Sequence, residues 1–330
     1  DMDLFNRVFP MDVRPQAHDI IRTWLFSTVL RSHLEFGSLP WAHAAISGWV
    51  LDPDRKKMSK SKGNVVTPMA LLDEHGSDGV RYWAASGRPG ADTAFDPAQM
   101  RVGRRLAIKL LNASKFVLSK PEPIGEVAHP LDVGILTNLA NLVADATRRL
   151  DAEYDYAWVL QRTESFFWDF CDNYLELIKA RRYGDFGGAA AGSANTTMLA
   201  ILSVLNRLFA PFIPFVAEEI WSWWRPGSVH RSHWPVEADV LSLIESGNET
   251  AFGLYVRTTE VLAAIRKRKS EQRLSAGAPL QIVRVRNNED LELRLAPSLD
   301  DLKAAARTDA IQFMADPAFD VEIVPKESAA

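Results

Sequence analysis

A lysine- and serine-rich loop is the part of the sequence whose residues are best suited to chemistry. Residues 57–61 read Lys-Met-Ser-Lys-Ser, and the polar stretch continues through Asn64. A given pentapeptide occurs by chance in a chain of this length only about once in 10⁴ trials, so coincidence explains it poorly. Lys57 and Lys60 offer two positive point charges, and the small residues around them let backbone N–H groups approach a ligand. The pattern favours a phosphate-binding site, and the alternative is a loop that is only solvated.

The segments around this loop are typical of an α/β sheet. Residues 44–51 form a compact apolar run that predicts a buried strand, and residues 8–13 are a shorter candidate strand. Residues 19–34 carry apolar side chains at helical spacing. After the loop, Thr67 is a good N-cap and Pro68 suits the first position of a helix. Strand, loop and helix in this order favour a parallel sheet, in which ligands bind at the carboxyl ends of the strands.

From residue 96 onward the sequence reads as a helical bundle. Asp96 and Pro97 open a helix that we expect to run to about Leu118. A Gly- and Ala-rich stretch at 184–195 predicts a loop between later helices. Helices of about 20 residues with short connectors are typical of bundles. The further predicted helices cover residues 131–152, 156–183 and 196–210, with a last segment that ends at Trp224.

The C-terminal part combines basic helical and strand-like patterns. A basic helix is predicted over residues 249–273, and a second, shorter helix over 299–307. Strand-like runs lie at residues 281–286, 291–295, 310–314 and 320–324. We therefore expect a small α/β region after the bundle.

Composition excludes several classes of protein. The chain has 330 residues, of which 47% are hydrophobic and 24% charged, so disorder is not its main state. Cys171 is the sole cysteine, which excludes an intrachain disulfide and a cysteine-based zinc site. No apolar run approaches the ~18 residues of a membrane span, and the polar first residues predict no secretory signal. We therefore expect a cytosolic protein with no membrane partner.

Charge gives a local rather than a global signal. The net charge of −4 and the pI near 6.0 do not by themselves suggest nucleic-acid binding. Basic residues nevertheless cluster, and such a stretch can follow phosphates while the whole chain stays acidic. The alternative is a solvated helix face. Three such clusters occur: Arg101, Arg104, Arg105, Lys109 and Lys115; Lys179, Arg181 and Arg182; and Arg266, Lys267, Arg268, Lys269 and Arg273.

The loop motif resembles KMSKS, the second signature of the class I aminoacyl-tRNA synthetases. The resemblance implies that Lys57 and Lys60 stabilise the triphosphate of ATP while an amino-acid carboxylate attacks the α-phosphorus and pyrophosphate leaves. ATP and Mg²⁺ are the implied ligands, and the chemistry is mostly positioning and charge stabilisation. The implied ATP-binding loop comprises Lys57, Met58, Ser59, Lys60 and Ser61.

Two further segments carry the same resemblance. AHDIIRTWLF, residues 17–26, is similar to a family element whose Asp binds the ribose hydroxyls of ATP, which implies that role for Asp19. A carboxylate suits a diol because it accepts two hydrogen bonds, although Asp19 is also a candidate helix N-cap. The resemblance places Ile20 and Trp24 near the amino-acid pocket, whereas core packing is the reading that we favour for Trp24.

The strand before the loop is similar to the family strand that lies under adenine. Its sequence is AISGWVL, which makes Ser47, Gly48 and Trp49 candidate adenine contacts. Gly48 is the best of these, because glycine alone lets a ring lie on the backbone. Residue 17 is Ala where the family usually has Gly.

The helix that begins at Pro97 is expected to read the anticodon. Lys109, Asn112 and Phe116 are spaced i, i+3, i+7 and therefore share a face. A cation, an amide and an aromatic ring suit splayed RNA bases, with stacking on Phe116, and the resemblance also places anticodon contacts on this helix. The alternative is that Phe116 lies in the core and Lys109 in solvent. Arg104 and Arg105 are expected to meet phosphates, which position RNA without reading sequence.

Three downstream segments are similar to sequences of the valyl branch of this family: GADTAFDP, LFAPFIPFVAEEIWSWW and SVHRSHWP. None of the seven histidines has the H-x-G-H spacing of the first family signature, so we expect the C-terminal portion of such an enzyme. The expected fold class is multidomain α+β. It comprises a partial Rossmann-like catalytic half at 1–95, a helical anticodon-binding bundle at 96–235 and a small α/β region at 236–330.

The expected function is ATP-dependent activation of valine and its transfer to tRNA(Val), by a monomer when the enzyme is intact. Three alternatives stay open from the residues. The first is that the chain is a tRNA-binding module without catalytic activity. The second is that it is an isoleucyl or leucyl relative. The third is that it is another adenylyl-transferring α/β protein with a similar lysine loop. Hydrophobic pockets separate one methylene by only ~1–3 kcal/mol, so the choice between valine and isoleucine rests on the resemblance.

Overall fold

The structure is a computed structural model that describes residues 1–244, 249–287 and 290–326, without the side chain of Lys60. Its contacts divide the chain into two units. The first unit comprises residues 1–109, 146–161 and 211–216, and the second comprises residues 110–145, 162–210 and 217–330. The fold combines helices and sheets, as expected.

The first unit contains two small parallel sheets. Strand β1 (Met11–Ala17) pairs with β2 (Trp41–Ser47), and β3 (Val50–Leu51) pairs with β4 (Thr93–Ala94). Parallel strands need a crossover connection. Between β1 and β2 this crossover is a 3₁₀ turn, a π-helical segment and helix α2 (Phe26–Phe36). The parallel pairing and the helical pattern of residues 19–34 are confirmed.

The strand predicted at residues 8–13 is confirmed only for residues 11–13, which belong to β1. Its start is wrong, because helix α1 (Met2–Val8) ends at Val8 and β1 begins only at Met11. The carboxylate of Asp1 caps α1 by accepting a hydrogen bond from the Leu4 N–H at 3.2 Å. Pro10 then prevents the helix from continuing, because proline lacks the N–H that a helix interior needs.

The apolar run at residues 44–51 forms strands but is not buried. The strand breaks after Ser47, and Val50 is 46% exposed. Trp41, before this run, is the buried residue of β2. Within the described residues each of these sheets has two strands, so each strand lacks a neighbour on one side. Exposure of apolar side chains follows from that missing cover.

Helix α3 (Pro68–Ala85) follows the lysine loop. Pro68 is its first residue, as predicted, and Thr67 precedes it in extended conformation. The Thr67 side chain makes no capping hydrogen bond. Gly76 interrupts the helix with a φ of 75°, a conformation that glycine adopts without strain.

Helices occupy most of the remaining chain. The helix predicted from Pro97 to Leu118 is confirmed, and the predicted helix at 156–183 is present but is interrupted by a π-helical turn at Phe170–Tyr174. The bounds are α4 (Pro97–Leu118), α5 (Pro130–Glu153), α6 (Tyr156–Asp169), α7 (Leu175–Leu177), α8 (Lys179–Tyr183), α9 (Gly188–Phe209), α10 (Pro214–Ser222), α11 (Ala238–Leu241), α12 (Glu249–Glu271), α13 (Leu291–Leu295) and α14 (Leu299–Ala306).

The loop predicted at residues 184–195 is wrong beyond Gly187. Helix α9 already begins at Gly188, and its small residues pack instead of forming a flexible connector. A Cβ added at Gly192 would lie 3.0 Å from the backbone of Gly125, so glycine permits this close approach. Helix α9 is also long and apolar enough to span a membrane, but most of its apolar residues are buried in the second unit, as in a core helix.

A three-stranded sheet forms the C-terminal part of the second unit. Its order is β6-β5-β7, where β5 (Leu280–Asn287) runs parallel to β6 (Thr308–Ala315) and antiparallel to β7 (Asp320–Pro325). The strand predicted at 291–295 is wrong, because that segment is helix α13. The Asp290 carboxylate accepts a hydrogen bond from the Leu293 N–H at 3.4 Å and caps this helix.

Candidate functional site

The lysine loop leaves the end of β3 through a tight turn. The Asp52 N–H donates to the Lys56 carbonyl at 2.8 Å, and Arg55 has a φ of 61°. Lys57 then pairs with Leu51 across this turn as an isolated β-bridge. The turn therefore fixes where the motif starts relative to the strand end, the position at which open α/β sheets bind ligands.

A buried carboxylate and an amide brace the loop from inside. Asp52 accepts hydrogen bonds from the Lys56 N–H at 2.8 Å and from the Asn64 amide at 2.7 Å. The Asn64 side chain also donates to the Lys57 carbonyl at 3.2 Å and accepts from the Ser59 N–H at 2.9 Å. The hydrogen bonds from Lys56 and Asn64 lower the pKa of Asp52, so its carboxylate stays charged. Asn64 thus links Lys57 and Ser59 of the motif to the carboxylate of Asp52.

The structure brings three of the predicted ATP-site residues together. The Lys57 ammonium lies 3.3 Å from the Asp19 carboxylate and 4.5 Å from the centre of the Trp49 ring. The Lys57 and Asp19 side chains are 45% and 37% exposed. Such exposed ion pairs contribute only about 0–1 kcal/mol, so a phosphate group can replace the carboxylate as the partner of Lys57.

Asp19 does not serve as a helix N-cap, so that alternative is wrong. It lies inside the 3₁₀ turn His18–Ile20, whose N-cap is Ala17. His18 holds the turn in place, since its Nδ1 lies 3.2 Å from the Ser47 carbonyl and its ring lies 4.6 Å from that of Trp49. The Asp19 carboxylate therefore points to the lysine loop instead of capping a helix.

Gly48 is in close contact with protein backbone, while its predicted contact with adenine stays a prediction. A Cβ at Gly48 would lie 2.4 Å from the backbone of Ala91, so protein backbone fills that side of the residue. The adjoining Trp49 N–H donates to the Asp92 carboxylate at 2.8 Å. The Trp49 indole N–H, in contrast, is buried without an acceptor among the described residues. A buried donor without a partner is costly, and a ligand oxygen or nitrogen is one way to satisfy it.

The remaining loop residues are exposed or half-buried. The Ser59 and Ser61 hydroxyls lie 2.6 Å apart, and Met58 is half-buried. Lys60 begins a short 3₁₀ turn, and its side chain lies outside the described part of the structure. The Ser59 and Ser61 hydroxyls are suitable donors to anionic oxygens.

The expectation that Trp24 packs in the core is wrong. Trp24 is 39% exposed and Ile20 is 36% exposed. The Trp24 indole stacks on Trp41 with an angle of 4° between the ring planes, and the Arg14 guanidinium lies 3.9 Å from its centre. An exposed indole that is fixed by its neighbours is compatible with a role in the amino-acid pocket. The assignment of Ile20 and Trp24 to that pocket stays a prediction.

On helix α4 the two predicted phosphate contacts are exposed in the first unit. The Arg104 guanidinium donates to the Glu74 carbonyl, which fixes that side chain against α3. Arg105 is exposed, and Lys109 is half-buried. These positions agree with contact to a polyanion but do not test it.

The last two predicted RNA contacts on α4 belong to the second unit. Asn112 is exposed, and Phe116 is half-buried. The Arg182 guanidinium lies 4.0 Å from the centre of the Phe116 ring. Phe116 is therefore neither a fully buried core residue nor a free ring.

Sequence reasoning missed Asp52 and Asn64. Asn64 had a usable signal, because it continues the motif that contains Lys57, whereas Asp52 had none. Arg182 was noted only as part of a basic cluster that could follow phosphates, but its side chain is buried, and its partners are revealed only by the fold.

Two family models match the chain. The model described as "tRNA synthetases class I (I, L, M and V)" matches residues 1–96, and the model described as "Anticodon-binding domain of tRNA ligase" matches residues 132–284. The first range contains the lysine loop, and the second contains most of the helices. Over these two ranges the chain is similar to the class I aminoacyl-tRNA synthetases.

Within this class the chain is similar to valine–tRNA ligases. It is 54% identical to the valine–tRNA ligase of Thermobifida fusca, over 99% of this chain and 37% of that protein. It is 52% identical to that of Salinispora tropica, over 92% of this chain and 37% of that protein. The chain thus spans just over a third of the length of these relatives.

A solved structure shares the fold. LeuRS of Agrobacterium radiobacter K84 agnB2, in a ternary complex with tRNA and LeuAMS, matches with a TM-score of 0.56 and 20% identity. The match covers 74% of this chain and 31% of that chain. At this identity the likeness concerns the fold alone.

Proposed function

We propose that the chain supplies the phosphate-site loop and the anticodon-binding bundle of a valine–tRNA ligase. In this proposal the intact enzyme is a cytoplasmic monomer that uses ATP to activate valine and then transfers it to tRNA(Val). Residues 1–95 form the C-terminal half of the catalytic domain, residues 96–235 the anticodon-binding bundle, and residues 236–330 a C-terminal α/β region. The identity to valine–tRNA ligases supports the choice of valine.

One observation carries the catalytic part of the proposal: Lys57, Asp19 and Trp49 meet at the strand ends. In this proposal Asp19 accepts hydrogen bonds from the ribose diol of ATP, once Lys57 leaves it for a phosphate. The Lys57 ammonium then faces the charge that develops on the departing pyrophosphate, with Lys60 as the second cation of the loop. A positioned charge of this kind is worth several kcal/mol in the transition state, about 2.7–4 per donor.

Mg²⁺ would enter bound to ATP. Within the described residues no group of three or more His, Cys, Asp or Glu side chains gathers into a metal site. Mg²⁺ is usually held by one or two carboxylates together with substrate phosphates, so the triphosphate itself would supply its main ligands. In this proposal the metal is part of the substrate, and the lysines neutralise the triphosphate charge that Mg²⁺ does not compensate.

Amino-acid-dependent exchange of pyrophosphate into ATP tests this function in the intact protein that carries the sequence. We expect exchange with valine at a kcat/KM at least about 10-fold above that with isoleucine or leucine, since one methylene changes binding by ~1–3 kcal/mol. Exchange that depends on isoleucine or leucine instead would assign the chain to another member of the class. No exchange with any amino acid would contradict the proposal.

The second candidate function is tRNA binding by this chain without catalysis. It is favoured by the absence of an H-x-G-H sequence, the first signature of the family, from the 330 residues. Isolated chain that binds tRNA(Val) but gives no exchange would support this function for the piece alone. The exchange assay on the intact protein then separates the role of the piece from that of the enzyme.

A further inference from the structure

Arg182, at the end of α8, is a buried cation directly against the ring of Phe116. Its side chain is among the largest fully buried ones, with 1% exposure. The guanidinium donates hydrogen bonds to the Val117 carbonyl at 3.1 Å and the Lys120 carbonyl at 3.3 Å, and lies 3.4 Å from the Ser119 hydroxyl. These acceptors belong to the last turn of α4 and the residues just after it. Arg182 therefore joins the end of that helix to the face of Phe116.

The neighbouring arginine shows how different this environment is. Arg181 is equally buried, but it pairs with the carboxylates of Asp132 and Asp301. Among the described residues Arg182 has no carboxylate within ion-pair distance, and burial lowers its pKa. Burial of an unpaired charge costs free energy, which carbonyls at a helix C-terminus and an aromatic face offset only in part.

The Arg182 charge lies beside the ring of Phe116, where it can affect the surface that this ring shares with Asn112. Phe116 is half-buried with Arg182 at 4.0 Å, so the guanidinium supports the ring from the protein side. A charge in a low-dielectric interior is weakly screened, and its field reaches the surface beside the ring. Exposed Asn112, one helical turn before Phe116, lies on the same face of α4.

We propose that Arg182 is a positioning residue for RNA: it fixes the Phe116 ring for base stacking and makes the adjacent surface attractive to an anionic backbone. This inference rests on the proposed function, in which Phe116 contacts the anticodon. It adds a residue that does not touch the RNA and whose contact with Phe116 the sequence pattern does not reveal. A merely structural clamp at the end of α4 is the competing explanation.

Two variants of Arg182 in the intact protein separate these explanations. Arg182→Met keeps much of the side-chain length but removes the charge, and Arg182→Lys keeps the charge without the planar group. Lys179→Met is the matched control, because Lys179 is an exposed cation on the same helix that pairs with Glu176. The measurements are Kd for tRNA(Val) and for an anticodon-substituted tRNA(Val) at several salt concentrations, valine-dependent pyrophosphate exchange, and thermal unfolding.

We expect Arg182→Met to raise the Kd for tRNA(Val) about 10-fold and to reduce the preference over the anticodon-substituted tRNA, with pyrophosphate exchange unchanged. The salt dependence of binding should weaken, but by less than the one charge that is expected for loss of a direct phosphate contact. Arg182→Lys should restore the salt dependence but only part of the anticodon preference. Lys179→Met should behave like the unmodified protein.

Unchanged anticodon preference and salt dependence in both Arg182 variants would overturn the inference, even if the thermal midpoint falls. If Arg182→Met does not fold, Arg182→Lys decides, because an unaltered preference in that variant rules out positioning by the planar group. Failure of the proposed function looks different. In that case the unmodified protein itself would bind the cognate and the anticodon-substituted tRNA equally.

Discussion

Half-buried His129 and buried Asp301 should have pH-dependent effects on stability that nearly cancel in the unmodified chain. The His129 Nε2 lies 3.6 Å from the Asp301 carboxylate, and the latter also accepts a hydrogen bond from Arg181 at 3.1 Å. Burial raises the pKa of Asp301 to about 7, although Arg181 acts against this shift. Burial, helped by the charge of Arg181, lowers the pKa of His129 to about 4.

The two shifts have opposite effects on the free energy of unfolding. Between pH 4 and 7 folded Asp301 keeps a proton that the unfolded chain has released, so stability falls as pH rises. Between pH 4 and 6.5 the unfolded chain holds a proton on His129 that the folded state lacks, so stability rises with pH. The two effects nearly cancel up to pH 6.5, because folded and unfolded states then hold the same number of protons on the pair.

Removal of one partner should expose the effect of the other. In Asp301→Asn, stability should rise by about 3 kcal/mol from pH 4 to 6.5, from a shift of His129 worth 1.36 kcal/mol per pKa unit. In His129→Gln, stability should fall by about 4 kcal/mol from pH 4 to 7, through Asp301. Urea unfolding at intervals of half a pH unit measures both slopes. Slopes of the same sign in the two variants would refute this account of the cluster.

Three further predictions concern the loop, the RNA surface and the core. Asn64→Ala removes the brace between Lys57 and Ser59 and should slow valine-dependent pyrophosphate exchange at least 10-fold while the Kd for tRNA(Val) stays unchanged; a normal exchange rate would contradict the role of the brace. Phe116→Ala should weaken charging of tRNA(Val) but spare exchange, and loss of both activities would mean that Phe116 is only structural. Gly192→Val should lower the free energy of unfolding by about 1–3 kcal/mol or more, because its side chain meets the Gly125 backbone; an unchanged urea midpoint would show that this contact is loose.

The sequence predicted secondary structure best where the stabilising groups are close to the element in sequence. Helix α4 begins at the predicted residue because Asp96 accepts a hydrogen bond from the Ala98 N–H at 2.8 Å, next to Pro97. Strands β5, β6 and β7 were each predicted from a short strand-like run in the sequence. The segment at 291–295 failed because one carboxylate, Asp290, is enough to start a helix in a Leu-rich run that also suits a strand.

Contacts between distant residues explain what the sequence could not predict. The stretch at 184–195 reads as a loop until the Gly125 backbone is seen against Gly192. At the candidate site, the motif identified Lys57, but its contact with Asp19 joins residues 38 positions apart. The hydrogen bonds of Arg182 reach back more than 60 positions to the end of α4, and no local pattern encodes them.

The central claim is that Lys57 stabilises the triphosphate of ATP. The most direct measurement is the single-turnover rate of valyl-adenylate formation by the intact protein with Lys57→Ala, beside Lys62→Ala as an exposed lysine of the same loop. We predict a loss of about 10²-fold or more for Lys57→Ala, with unchanged affinity for valine and a nearly normal rate for Lys62→Ala. Equal rates for the two variants would contradict the claim.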